Sequence, residues 1–271
     1  MAERPKWVPG DIDLERPSVA RVYDYWLGGA HNFAADRAVA NRTLEAMPEL
    51  RRVILTNRTL LRRMVRHLLR LGVRQFLDLG SGIPTAGNVH EIAHAVDPTA
   101  RVVYVDMDPV AIAHGKSLLA DLPNVVALQA DIRDPASVLG DPEVRSVLDL
   151  DQPVAVLMIA VLHFVPDADH PCGIIADYLD ALVPGSYLGV SHSGGEQGEE
   201  SAAVAEARRR YSEQVAPMVH RTRAELISLL GGLELVEPGV VRLPHWRPDS
   251  PDDVDESADR FPGFAALGRK P

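Results

Sequence analysis

The chain has 271 residues, 46% of them hydrophobic, and carries a formal net charge of -10 at pH 7. That acidity disfavours a general nucleic-acid binder, because non-specific affinity for phosphates needs clustered Lys and Arg, and the only lysines are Lys6, Lys116 and Lys270. Cys172 is the single cysteine, which excludes an intrachain disulfide and a cysteine metal cluster and is consistent with a reducing compartment.

Glu3, Arg4 and Lys6 are followed by no apolar run, so no signal peptide is expected. The longest apolar stretch, Val154 to Val165, is too short to cross a bilayer. A soluble, cytoplasmic protein without a membrane partner is the expectation, its oligomeric state left open. The length suits one large core: an N-terminal helical extension over 1–72 and a single cofactor-binding unit over 73–271.

In chain order, residues 1–16 are polar, with Pro5 and Pro9, and are expected to wander over the surface. A helix is predicted from Ser18, with Val19, Val22, Tyr23, Trp26 and Leu27 at helical spacing and Gly28 and Gly29 as its stop. A second spans about 34–46, before Pro48. A third, over 56–71, carries Leu61, Met64, Val65 and Leu68 on one side and Arg62, Arg66 and Arg70 on the other. Strands at about 75–79, 101–106, 125–129, 154–160 and 186–191 then alternate with helices, the order of a parallel α/β sheet covered on both faces. Thr222 and Glu225 form a capping box for a helix ending at Gly231 and Gly232. Leu233 to Val236 and Phe264 to Leu267 read as the last two strands, and the acidic run 249–259 reads as a solvated loop.

The most informative segments are Phe76 to Thr85 and Arg101 to Pro109. Each is a buried strand ending at a carboxylate, and the first turns on Gly80, Ser81 and Gly82 into a helix. A dinucleotide site cradles a pyrophosphate at such a turn and packs its helix through a third glycine. Here Thr85 stands at that third position, and Asp78 would repel a phosphate. A carboxylate at the turn suits a ligand that brings an ammonium and a sulfonium, because opposite charges attract in a partly dry cleft. S-adenosylmethionine has that character.

On these residues the chain resembles the class I S-adenosylmethionine-dependent methyltransferases from about residue 74 onward. The resemblance implies a Rossmann-like, mostly parallel seven-stranded sheet whose last two strands make an antiparallel hairpin edge. It places Asp78, Gly80, Ser81 and Gly82 at the methionine end of the cofactor, Asp106 on the ribose hydroxyls, Met107 beside the adenine, and Asp131 and Ile132 at the adenine edge. Ala160, after the fourth strand, joins the cofactor set. The segment 17–37, Pro-Ser-Val-Ala-Arg-Val-Tyr-Asp-Tyr-Trp-Leu-Gly-Gly-Ala-His-Asn-Phe-Ala-Ala-Asp-Arg, is similar to the N-terminal signature of a largely uncharacterised bacterial methyltransferase family, and Trp246 to Asp249 accompanies it.

Methyl transfer needs alignment and exclusion of water, with a general base only where the acceptor must lose a proton. His163, after the fourth strand, is a candidate base or a pocket-lining group, and His192, after the fifth, is a second candidate. Tyr23, His31 and Asn32 around Gly28 and Gly29, together with Arg58, are candidates for contact with a small-molecule acceptor. No Asn-Pro-Pro-Tyr or Asp-Pro-Pro-Tyr sequence follows the fourth strand, which argues against transfer to nucleobase amines. Cys172 lies too far past the strand for a nucleophile, and no zinc spacing occurs. The reading is methyl transfer to an oxygen or nitrogen of a small molecule. Its rivals are a noncatalytic sensor of the cofactor or its demethylated product and, disfavoured by Asp78 and Thr85, a nicotinamide-dependent oxidoreductase.

Overall fold

A computed structural model describes residues 12–84 and 87–271. The helices are α1 (Val19–Trp26), α2 (Ala34–Ala46), α3 (Leu50–Arg70), α4 (Val89–His94), α5 (Pro109–Leu118), α6 (Pro135–Gly140), α7 (Pro142–Val147), α8 (Pro171–Asp180), α9 (Ala202–Gln214) and α10 (Arg223–Leu229). The strands are β1 (Gln75–Leu79), β2 (Arg101–Asp106), β3 (Val125–Gln129), β4 (Ala155–Ile159), β5 (Tyr187–Ser193), β6 (Glu234–Leu235), β7 (Val241–Arg242) and β8 (Gly263–Arg269). They form one sheet in the order β3-β2-β1-β4-β5-β8-β6, with β7 also paired to β8. The first five strands are parallel, and β8 runs antiparallel to β5.

Successive strand residues face opposite layers, as a period of two requires. Phe76, Val102, Tyr104, Ala155 and Leu157 pack with the apolar stripe of α3 and with α4, whereas Leu77, Val103, Val156 and Met158 pack with α7, α8 and α10. Strands apolar on both faces therefore sit between two cores, which explains their unbroken hydrophobic runs.

The edge differs from a simple hairpin. Both β6 and β7 lie against β8, at its opposite ends: Leu235 is opposite Gly268, and Val241 is opposite Ala265. Pro238 and Gly239 interrupt what would otherwise be one strand, because proline has no N–H to give a ladder. The sheet thus has eight strands where seven were expected. Helix α3 starts at Leu50 instead of 56, since Leu50, Val53 and Ile54 continue its apolar stripe. There it meets Val22 and Trp26 of α1, Val39 and Ala40 of α2, and Tyr211 of α9 in a second small core. So α3 joins the N-terminal helices to the sheet, with its first turns in one core and its last turns in the other. The expectation of a wandering segment fails at its end: Ile12 is buried with Ala20, Ile83 and Val110, because an apolar side chain here has a hydrophobic corner to fill. Residues 1–11 and Thr85 lie outside the described residues.

Candidate functional site

A cavity of about 640 Å³ lies beyond the carboxyl ends of β1, β2, β3 and β4, where an open α/β sheet leaves its crevice. Asp78, Gly80, Ser81, Gly82, Asp106, Met107, Asp131, Ile132 and Ala160 all line it, as do Tyr23 and Arg58. The residues assigned to the cofactor are therefore brought together from four strand ends.

Two carboxylates define its floor. Asp106 is 8% exposed; its Oδ2 accepts from the Gly82 N–H at 2.7 Å and its Oδ1 from the Asp108 N–H at 2.8 Å. This ties the glycine turn to β2. Asp78 is 7% exposed, and its carboxylate accepts no hydrogen bond among the described residues. Burial pushes Asp78 up to about 7, against the nearby Arg58 and with help from Asp106. Burial likewise raises Asp106 to about 6, opposed by the Asp108 and Gly82 N–H groups. Two buried acids held above their ordinary range, in one cavity, are a receptor for positive charge.

The glycine turn owes its shape to a close approach. Gly80 has φ +71°, and a Cβ there would lie 2.3 Å from Cγ2 of Val161, itself a lining residue. Gly80→Ala is expected to cost about 1–3 kcal/mol of stability and to weaken ligand binding at least about tenfold, measured by denaturant melts and calorimetry. Unchanged melting and binding would show that the turn has slack. Opposite the turn, Ala160 also holds a left-handed φ of 56°, fixed by its N–H to Ser191 Oγ at 2.9 Å. Met107 is 64% exposed on the cavity wall, an apolar surface suited to a flat aromatic ring. Asp131 lines the cavity while Arg133 forks onto both its oxygens and reaches Asp169 at 2.9 Å; these bonds hold Asp131 below the usual carboxylate range.

The roof comes from α1 and the segment before it. Arg21, 3% exposed, lies 3.3 Å from Asp36 and 3.8 Å from Asp108, and Ser18 Oγ donates to Asp108. Asp108 also caps α5 through the Val110 N–H at 2.7 Å. This buried cluster fastens the N-terminal helices to the cofactor side of the sheet. An Asp-Pro pair is a visible helix-start signal, but nothing in the sequence links it to Arg21 some ninety positions earlier.

A second chamber of about 130 Å³ adjoins the first, and Tyr23, Asn57, Ala160 and Phe164 line both. Ser191 Oγ donates to Asn57 Oδ1 at 2.6 Å, and Asn57 Nδ2 donates to the Tyr23 hydroxyl at 3.1 Å. Both candidate histidines line this chamber. His192 has both ring nitrogens engaged: Nδ1 meets the Ser193 carbonyl at 2.6 Å, and Nε2 meets Arg221 Nη1 at 2.9 Å. A carbonyl only accepts and a guanidinium only donates, so His192 has no free lone pair for a substrate proton. Burial depresses it to about 4. His163 accepts the Ser193 N–H on Nδ1 at 3.4 Å, which leaves the proton on Nε2. Burial holds His163 well below the ordinary histidine range, with His192, His220 and Arg221 adding to the shift.

His31 and Asn32 line neither space. The Asn32 amide donates to Asp24 and to the Gly29 carbonyl, both at 2.9 Å, and the His31 ring lies tilted against His114, with ring centres 3.8 Å apart. The many polar groups near Gly28 and Gly29 close a turn. Trp246, fully buried, packs edge-on against His67 and holds β7's end to α3.

The comparisons agree with this architecture. A crystal structure of a candidate methyltransferase from Thermobifida fusca YX is 42% identical over 98% of this chain and 99% of its own, with a TM-score of 0.91. A DUF574 family protein from Streptomyces avermitilis is 40% identical over 96% of this chain and 99% of its own, with a TM-score of 0.90. The plantazolicin methyltransferase BamL, solved with a triazolic desmethylPZN analog and S-adenosylhomocysteine, shares the fold at 13% identity over 93% of this chain and 95% of its own, with a TM-score of 0.53. No curated protein matches the sequence. The family model for S-adenosyl methyltransferases matches residues 5–271, and the chain therefore belongs to that family, with S-adenosylmethionine as its cofactor.

Proposed function

We propose that the protein transfers the sulfonium methyl of S-adenosylmethionine to an oxygen or nitrogen of a small, largely apolar acceptor. The observation that carries this reading is that Asp78 and Asp106, both buried, line one cavity, Asp78 with its carboxylate accepting no hydrogen bond among the described residues. When bound, the cofactor supplies an activated methyl carbon. Asp78 faces its amino-acid end, Asp106 accepts from the ribose hydroxyls, Met107 and Ile132 flank the adenine, and Asp131 borders its edge. Gly80 and Gly82 let backbone approach where a side chain would collide. Tyr23 and Asn57, on the shared wall, orient the acceptor, and the roof of α1 excludes water. Arg58 counters the field of the floor acids from beside Asp78.

Turnover tests the reading. Methyl-labelled S-adenosylmethionine incubated with the protein and a cell's small-molecule extract is expected to yield a labelled product of low mass. Binding of the cofactor with no labelled product from any extract fraction would favour a noncatalytic sensor, and binding of NADH in its place would favour an oxidoreductase.

The floor acids also dictate a pH dependence. Their folded values, about 7 and about 6, exceed the ordinary 3.8. A raised acid contributes stability below its unfolded value and loses it as pH rises through the folded one, so the empty site is strained at neutral pH. A cationic ligand favours the ionised acids. Binding is therefore expected to release protons and to tighten about tenfold per pH unit for each acid still protonated, between about pH 5 and 7. Calorimetry in buffers of different ionisation enthalpy checks this; equal affinity at both ends of that range would refute it.

A further inference from the structure

A chain of three polar groups opens into the smaller chamber. Ser193 Oγ lies 3.0 Å from His220 Nε2, and His220 Nδ1 lies 3.0 Å from Glu200 Oε1. Since a carboxylate only accepts, Nδ1 carries the proton, and Nε2 is left to accept from the serine hydroxyl. This sets a base toward the chamber with an orienting acid behind it.

We infer that Ser193, His220 and Glu200 form a proton relay for a hydroxyl acceptor, a compact aromatic ring bearing an acidic O–H, seated in the 130 Å³ chamber. The inference rests on the methyl transfer proposed above. The size is that of one ring: an apolar cavity of about 150 Å³ holds benzene. Trp26, Ile54, Phe164 and Tyr211 supply apolar walls, and Tyr23 and Asn57 join the chamber to the cofactor cavity. His163 Nε2 carries a proton and has no hydrogen-bond partner among the described residues, so it donates to the acceptor oxygen. As that oxygen bonds to the methyl carbon, the carbon–sulfur bond breaks and its electron pair stays on sulfur. The hydroxyl proton moves to Ser193 Oγ, and the serine's own proton moves to His220 Nε2. His220 and Glu200 are partly exposed, with side chains 22% and 28% accessible, and pass the proton to solvent.

The same trio would suit an acyl-enzyme nucleophile, but no oxyanion site accompanies it among the described residues. The Ser193 N–H is spent on His163, and the Gly194 N–H on the Pro262 carbonyl. The charges around His220 are Glu200 and Arg208, which forks onto Glu200 from α9, with Arg221 and His192 on the β5 side. Burial lowers His220, Glu200 opposes this and Arg208 adds to it.

Para-nitrophenol, whose absorbance separates phenol from phenolate, probes the relay directly, with and without S-adenosylhomocysteine. Wild type is expected to bind it and lower its apparent pKa by about one unit, tenfold in the ionisation constant. Ser193→Ala and His220→Gln should keep binding of the neutral phenol, measured well below its pKa, within about threefold and lose the shift, and with it about tenfold in phenolate affinity; Glu200→Gln should keep part of the shift, and Ser193→Thr should restore it. A probe that fails to bind the folded wild type, or a shift that survives Ser193→Ala, overturns the inference. So does hydrolysis of para-nitrophenyl acetate that Ser193→Ala abolishes, which would make Ser193 a nucleophile. Loss of cofactor binding alone would sink the methyl-transfer reading and leave this titration standing.

Discussion

Asp106→Ala is expected to weaken S-adenosylmethionine binding about a hundredfold or more, read by calorimetry. A carboxylate accepting from two ribose hydroxyls makes two charge-assisted bonds of about 1.5–3 kcal/mol each. The substitution has a second consequence, because Asp106 also receives the Gly82 and Asp108 N–H groups. Its loss frees the glycine turn and β2's exit together. Asp106→Asn separates the two effects: its amide oxygen still accepts one loop N–H, while the charge and one acceptor are gone. An alanine variant that binds as tightly as wild type would remove the ribose assignment and with it the reading of the floor.

Arg21→Met is expected to lower stability by about 3–5 kcal/mol, a fall in melting midpoint of about 10 °C at this length. Arg21 is the cation between two acids, Asp36 and Asp108, and all three are almost wholly buried. Methionine fills the space and leaves both carboxylates uncompensated. Burial already raises Asp36, with the Phe33 and Ser18 N–H groups and Arg21 opposing, so removing the guanidinium raises it further. An acid raised in the folded state loses its contribution as pH rises, so the deficit of the variant should be larger at pH 8 than at pH 5. The roof is held by this cluster, and cofactor affinity should fall with it. A variant as stable as wild type at both pH values would show that the N-terminal helices are held by their apolar core alone.

The site was legible to very different degrees from one group to another. That Asp78, Gly80, Gly82 and Asp106 share one cavity could be read because the two acids sit near the carboxyl ends of buried strands and the glycines come just after the first, and a parallel sheet lines such ends up. Arg58 and Tyr23 could be suspected from their neighbours and do line the cavity. His31 and Asn32 share the same polar cluster in sequence, yet they lie in the loop between α1 and α2 and close it around Asp24, whose carboxylate takes the His31 N–H and the Asn32 amide. His220 gave no local sign, being separated from Ser193 by α9 and the loops around it, and Glu200 lies in the loop between β5 and α9, where nothing local marks it as a partner.

Local chemistry thus determined most of the elements and the cofactor floor: hydrophobic period, glycine freedom and helix caps act within a few residues, and strand ends inherit their place from the sheet. Only the tertiary structure decided the split edge of β6 and β7, the long α3 shared by two cores, the Arg21 cluster and the Ser193, His220 and Glu200 chain. Each of these depends on which distant groups share a desolvated volume, where charge and hydrogen bonding act strongly because water does not screen them.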